Sequence, residues 1–281
     1  EKAAGESISG GVKVGSISLS WFGGQKIGPI VITDPTKPDG KNEILRAEVE
    51  TTSSMLSLVK GAIGSGPNLG TIKITGKGNV VRSADGTTNL QRALAPKKGT
   101  EQSSASKTTS SSKPADAAKI PAGAQGRVLI ENFDLNYTDE TNPSASVQLK
   151  DLGIDATLLP AGSSVGASAS VKVTTKALAQ GQQGQIKIDA TLDQFTDAAG
   201  VLKPDSAKVN ATIQTDNLPT ALVDALSNMG GKLTAGLGPT LAFNVNAKGT
   251  MKSADATVKA SAQGMNADAS VKVADNVLTS S

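Results

Sequence analysis

The stretch QIKIDATL, residues 185–192, alternates without a break: Ile186, Ile188, Ala190 and Leu192 are apolar, while Gln185, Lys187, Asp189 and Thr191 are polar or small and hydroxylated. Successive side chains of a strand point to opposite faces, so a period of two puts all four apolar groups on one side of a sheet. The same period returns as Ala207, Val209, Ala211, Ile213, as Ala256, Val258, Ala260, Ala262, and as Ala267, Ala269, Val271, Val273. These stretches predict a mainly β protein whose inward faces are almost purely small and aliphatic.

Elsewhere the alternation keeps its apolar face but slips phase by one residue. Val12 and Val14 give way to Ile17, Leu19 and Trp21; Val128 and Ile130 to Phe133, Leu135 and Tyr137; Val147 and Leu149 to Leu152, Ile154, Ala156 and Leu158. Such a slip is what a β-bulge produces, and bulges bend and twist the strand that carries them. The expected fold is therefore curved antiparallel sheets forming an open groove or a sandwich-like trough. Further strands are expected near 27–33, 44–51, 69–81 and 167–176, with a hairpin-type signal at Asp85-Gly86.

Two or three short helices are expected to cap the sheets. Ser53 or Ser54 can cap a turn carrying Met55, Leu56, Val59 and Ile63, and Thr88 with Gln91 has capping-box spacing ahead of Leu90 and Leu94. Pro219 sits at a first-turn position near 218–229, Leu222, Leu226 and Met229 follow at helical spacing, and Gly230-Gly231 reads as the stop. Residues 96–125 are dominated by Ser, Thr, Ala, Lys and Pro, with Ile120 as the one large apolar side chain. Too little apolar surface is present to offset ordering them, which predicts a flexible linker between a 1–95 β block and a 126–281 β block. That segment could equally join two parts of one continuous sheet. Similar units, SASVKVTT at 168–175, ADATVKAS at 254–261 and ADASVKVA at 267–274, suggest neighbouring hairpins or a shared low-complexity composition.

Composition narrows the chemistry. The 281 residues include no His and no Cys, and aromatic residues make up 2%. A net charge of +3 and a pI near 9.0 permit an anionic partner. Lysines are nevertheless spread singly and stacking platforms are nearly absent, so nucleic acid is not expected. Gly162-Ser163-Ser164-Val165-Gly166 matches the nucleophile-elbow pattern but lacks a histidine base anywhere in the chain. Imidazole and thiolate metal ligands are missing, and Asp34, Asp39 and Glu43 do not have calcium-loop spacing. The glycines of GAIGSGPNLG and TGKGNVV fail the dinucleotide spacing, and the sequons at Asn136 and Asn210 matter only in a eukaryotic secretory setting. Neither a catalytic residue, a metal nor a cofactor is expected.

Three stretches are familiar: VKVGSISLSWFGGQKIGPIVITDP at 12–35, LGTIKITGKGNVVRSADGTTNLQRAL at 69–94, with Asp85, Gly86, Asn89 and Leu90 as a D-G-x-x-N-L element, and LPTALVDALSNMGGKLTAGLGPTLAFNVNAKG at 218–249. They resemble the AsmA-like family of bacterial envelope proteins. That resemblance implies a long curved β-sheet with an apolar concave face, a periplasmic location with an N-terminal anchor in the inner membrane, and a part in lipid transport or outer-membrane biogenesis. It carries over no catalytic residue. The chain begins at Glu1 and runs out in strand-like sequence at Ser281, as expected of a piece of a longer protein whose membrane anchor lies outside it.

The expected function is thus a non-enzymatic aliphatic groove that meets phospholipid acyl chains. Its candidate lining is Ile186, Ile188, Leu192, Val209, Ile213, Leu241, Phe243, Val245, Val258, Val271 and Val273. The alternative is a structural or adhesive envelope protein whose apolar faces close on each other as a β-sandwich and bind no lipid.

Overall fold

The computed structural model describes residues 8–36, 43–63, 68–96, 120, 123–142, 146–160, 167–227, 229–250, 252–274 and 277–280. The Gly162–Gly166 pattern, Asp39, Gly64, Gly66 and nearly all of the Ser-rich segment after Pro96 lie outside them. Nearly all of the rest is one open sheet. Its strands are β1 (Gly11–Ser18), β2 (Gln25–Thr33), β3 (Glu43–Thr51), β4 (Asn68–Arg82), β5 (Gln125–Asp139), β6 (Val147–Leu159), β7 (Ser168–Ala179), β8 (Gln182–Asp193), β9 (Lys208–Asp216), β10 (Leu218–Pro219), β11 (Thr240–Thr250), β12 (Ser253–Ala262), β13 (Met265–Ala274) and β14 (Val277–Ser280). Each strand lies beside its sequence neighbour, except that β9 pairs with β11 and the two-residue β10 joins β11 off the main path. β1 and β14 stand at opposite ends of that path, so the sheet does not close into a barrel.

All pairings are antiparallel except β4 with β5, which run parallel. A parallel pair needs a long crossover, and the Ser-rich segment supplies it. The sheet therefore passes from the front block to the rear block without interruption. The repeat-like units fall on β7, β12 and β13, of which only β12 and β13 are paired, Ala254 opposite Val273.

The phase slips appear as register shifts. Between β5 and β6 the register jumps from Ile130↔Ile154 to Phe133↔Leu152 and then to Leu135↔Leu149. The extra residues include Asn132 at φ 51° and Asp151 at φ 52°. Asx side chains tolerate this left-handed region better than other non-glycine residues, which suits them to bulges. The slip at Gly15-Ser16 is shared by β1 and β2, whose mutual register is regular. It shows only against β3, between Ile27↔Val49 and Ile30↔Ala47.

Four short helices close the ends: α1 (Met55–Ile63), α2 (Asn89–Leu94), α3 (Thr220–Ser227) and α4 (Lys232–Leu237). Ser54 is the cap of α1, its hydroxyl accepting from the Ser57 amide at 3.2 Å. The Thr88/Gln91 capping box of α2 is complete, with bonds of 3.1 Å and 2.9 Å. As expected, α3 stops before Gly230-Gly231, but a further helix follows the pair. Gly231, at φ 86°, turns the chain into α4. Asp224, 5% exposed, reaches over from α3 to accept from the Leu233 amide at 3.0 Å and the Thr234 amide at 2.8 Å. The largest buried core forms here, where Leu218, Ala221 and Leu222 pack on Val147, Ala177 and Ala179.

Burial would raise the pKa of Asp224, but hydrogen bonds from the Thr234 hydroxyl and from the amides of Thr234, Leu233 and Gly231 hold it below the usual carboxylate range. A depressed folded pKa contributes stability above the unfolded value near pH 4 and loses it as pH falls through the folded value. Asp224→Asn should cost about 1 kcal/mol at pH 7. Melting both proteins across pH should show that difference shrinking below about pH 4.

Candidate functional site: an uncovered aliphatic row

Along the main path from β1 to β13, each ladder places one apolar position of a strand opposite one of the next. From the first edge the row runs Ile17, Ile27, Val49, Ile74, Ile130, Ile154, Val173, Ile188, Ile213, Val245, Val258 and Ala269. Eleven of these twelve side chains are Ile or Val, whose branched shape fits a pleated surface. Eleven inter-strand steps of about 4.8 Å make the row about 53 Å long along the hydrogen-bonding direction. A second row on the same face is smaller: Ile72, Val128, Ala156, Val171, Ala190, Ala211, Ala247, Ala256 and Val271.

The neighbouring row, one residue along each strand and on the opposite face, reads Lys26, Glu50, Lys73, Leu129, Asp155, Lys172, Asp189, Thr212, Asn246, Thr257 and Ser270. Charge alternates from strand to strand over the front half, with Leu129 interrupting it. Lys26 meets Glu50 at 2.8 Å, Lys73 meets Glu131 at 2.7 Å, and Arg127 meets Asp155 at 2.7 Å. Arg127 and Lys26 hold the carboxyls of Asp155 and Glu50 below their usual values, chiefly through these hydrogen bonds. Exposed pairs of this kind are screened by solvent and contribute little to stability. Their larger effect is on register, because a one-residue slip would bring the charged row onto the apolar face.

None of the twelve row positions is buried. Ile17 and Ala269 are exposed and the rest are half-buried. In two facing sheets a central row would be sealed by the opposite layer. Among the described residues no second sheet lies over this face, and a half-exposed apolar surface of this length is a candidate for interaction.

The candidate residues separate into groups. Ile188, Ile213, Val245 and Val258 stand side by side in the row, Val271 lies in the second row, and Leu192 pairs with Val209 nearer the strand ends. Ile186, Leu241 and Phe243 instead pack against the α3 core and belong to the covered part of the face. For Val273 the described structure extends to its backbone position opposite Ala254. Sequence reading missed the front half of the row, Ile27 to Val173. The bulges shift its phase, so its continuity appears only when the ladders are aligned.

An apolar hollow of about 280 Å³ opens beside the row, where Leu69, Ile72, Val128, Ala156, Leu158 and Val171 meet at the parallel junction. A larger one of about 610 Å³ faces the other way and is lined by Gln214, Asp216, Asn244, Lys259, Asn266 and Asp268. Its charged and amide lining suits water. Among the described residues, no group of three His, Cys, Asp or Glu is placed to hold a metal, and no helix is long and apolar enough to cross a membrane. Asp34, named above for its loop, binds the Thr36 amide at 2.9 Å and Arg92 at 3.2 Å. Gly76, from TGKGNVV, has a local role: an added Cβ would lie 2.2 Å from the Arg46 carbonyl oxygen on the paired strand.

Asp85, Gly86 and Asn89 of the D-G-x-x-N-L element also have visible structural work. Asp85 accepts from the Thr87 amide at 2.9 Å, and Gly86 turns at φ 82°. The Asn89 amide exchanges 2.9 Å bonds with the Val81 N–H and the Asn79 carbonyl. No protein-family model matches the chain, and no curated protein or solved structure matches it either.

Water already reaches the row, so a charge placed there is far cheaper than one in the sealed core. Ile188→Asp should unfold with a loss of about 1 kcal/mol, whereas Ala177→Asp, at a position with no exposed surface, should cost about 4 kcal/mol or more. Urea titrations followed by circular dichroism would check this ordering; equal losses would mean that the row is covered.

Proposed function

We propose that the protein is a non-enzymatic lipid-handling protein whose aliphatic face carries acyl chains. The observation that supports this reading is the length of the uncovered row. The hydrocarbon core of a bilayer is about 30 Å thick, about 15 Å for each acyl layer, so a 53 Å row outruns any single chain. A pocket for one ligand would be shorter and closed. A path has this form, with side chains alike enough to offer no preferred stopping point.

The energetics fit loose, mobile contact. Each methylene removed from water contributes about 0.8 kcal/mol, so half a dozen shielded carbons contribute roughly 5 kcal/mol before the cost of ordering the ligand. Ile, Val and Ala leave the face shallow, and the absence of His and Cys leaves no ready chemistry beside it. The resemblance to AsmA-like proteins points the same way, toward phospholipid and the periplasmic side of a bacterial inner membrane. The alternative of an adhesive or structural sandwich requires a second apolar layer over the row, and the half-exposure of Ile188 and Ile213 counts against it.

Native mass spectrometry of protein purified from its own membranes tests the proposal. Wild type should carry phospholipid, and Ile188→Asp with Ile213→Asp should lose it while keeping the strand spectrum. A wild-type protein free of lipid, or a doubly substituted one that retains its lipid, would overturn it.

A further inference from the structure

Along the row the face is even; beside it, at the parallel junction, the apolar hollow of about 280 Å³ breaks that evenness. The ladders show why space is left there. Gly126 stands opposite Leu158, Leu158 opposite Ala169, and Ala156 lies between Val128 and Val171. Small side chains at Gly126, Ala156 and Ala169 thus fall on three adjacent strands, where the main row has Ile130, Ile154 and Val173.

The remaining wall is a bulge. β4 sets two residues, Leu69 and Gly70, against Gly126 of β5, because the register passes from Asn68↔Gln125 to Thr71↔Arg127. Gly70 turns at φ 62°, and an added Cβ would lie 2.6 Å from the hydroxyl oxygens of both Ser53 and Thr52. The bulge is pinned on both sides: the Gly70 N–H donates to the Asn68 side chain at 2.9 Å, and the Thr71 N–H donates to the Thr52 hydroxyl at 2.9 Å. A Cβ on Gly126 would stand 3.0 Å from the Leu69 Cβ, so any side chain there would fill the space between the two strands. The hollow is therefore built into the backbone, and an occupant meets it preformed.

What can occupy it follows from its lining and its size. Its inward positions are apolar, and the polar residues that border it, Arg127, Thr157 and Ser170, alternate with them along their strands. Arg127 turns its guanidinium to Asp155 on the ionic face, at 2.7 Å. A water or a headgroup in the hollow would give up hydrogen bonds with little to replace them. From Leu69 on β4 to Val171 on β7 the hollow crosses three inter-strand steps of about 4.8 Å, about 14 Å in all. One acyl layer of a bilayer is about 15 Å. The volume falls just under the about 300 Å³ at which pockets for whole small ligands begin. Hydrocarbon of one chain's length, without its headgroup, fits both dimensions. Leu69 and Val171, 41% and 36% exposed, stand on either side of the hollow for such a chain to cover.

We propose that the hollow is the resting seat of a single acyl chain, which lies across β4 to β7 with its methyl end inside and its headgroup outside. This rests on the reading of the face as an acyl path and adds one fixed station to it.

Palmitic acid carrying a diazirine at its methyl end tests the seat on the full chain stripped of lipid. Irradiation followed by peptide mass spectrometry should place most adducts on residues 69–72, 126–128, 156–158 and 169–171. Ala156→Leu puts a larger side chain into the hollow and should cut adducts on those segments about tenfold, while adducts along β8 to β12 persist. If that variant loses the strand spectrum, Ala169→Leu replaces it. Wild-type adducts spread evenly from β4 to β12 would overturn the seat and leave the path standing. Adducts on the seat that a folded filling variant leaves unchanged would overturn it too. No adduct anywhere on the apolar face would overturn the path as well, so the two proposals fail separately.

Discussion

Everything in this molecule hangs on strand register. An isolated sheet with one apolar face gains little from sealed packing, so its order must come from ladder hydrogen bonds and cross-strand pairs. Both demand that each strand meet its neighbour at one offset. The row from Ile17 to Ala269 and the charged row beside it enforce the same offset from opposite faces. A slip of one residue would put Lys172 among Ile154 and Ile188, stranding a charge on the apolar face while exposing Val173 to the ionic one.

Bulges are what let a constant offset survive a changing pattern. At Asn132 and Asp151 an extra residue is absorbed in the left-handed region, and the apolar face resumes in phase on the far side. Bulges also bend and twist a strand. They cluster in β2, β5 and β6, around the parallel junction and its hollow, while β7 through β13 pair without a shift. The irregular half of the sheet is therefore the half that carries the hollow, and the regular half offers the even aliphatic surface.

The clustered buried core lies at the other end of the strands. There Leu218 and α3 cover Val147, Ala177 and Ala179, and α2 sets Ala93 against the start of β1, with the Gly10 N–H donating to the Ala93 carbonyl at 2.8 Å. A protein of this design keeps its folding contacts and its open surface on different parts of one sheet. Substitutions on the face can then alter what it binds without removing what holds it together.

Much of this was legible in the residues. Alternation identified β8, β9, β12 and β13, capping chemistry located α1 and α2, and phase slips marked the bulges. The spacing of Leu19 and Trp21 predicts strand, but β1 ends at Ser18, where the buried Gln25 amide binds the loop that follows. Gly230-Gly231 marks where α3 has stopped, whereas α4 beyond it depends on the Asp224 carboxylate ten residues away in sequence. Ile186, Leu241 and Phe243 shared the period of Ile188 and Val245, yet lie under α3. By itself the sequence determined which side chains share a face, since that follows from a two-residue period local to each strand. Only the tertiary structure decided which of those faces is covered, because burial depends on where distant helices land. It also decided that the separate faces join into one row, because that depends on the offsets of eleven ladders at once.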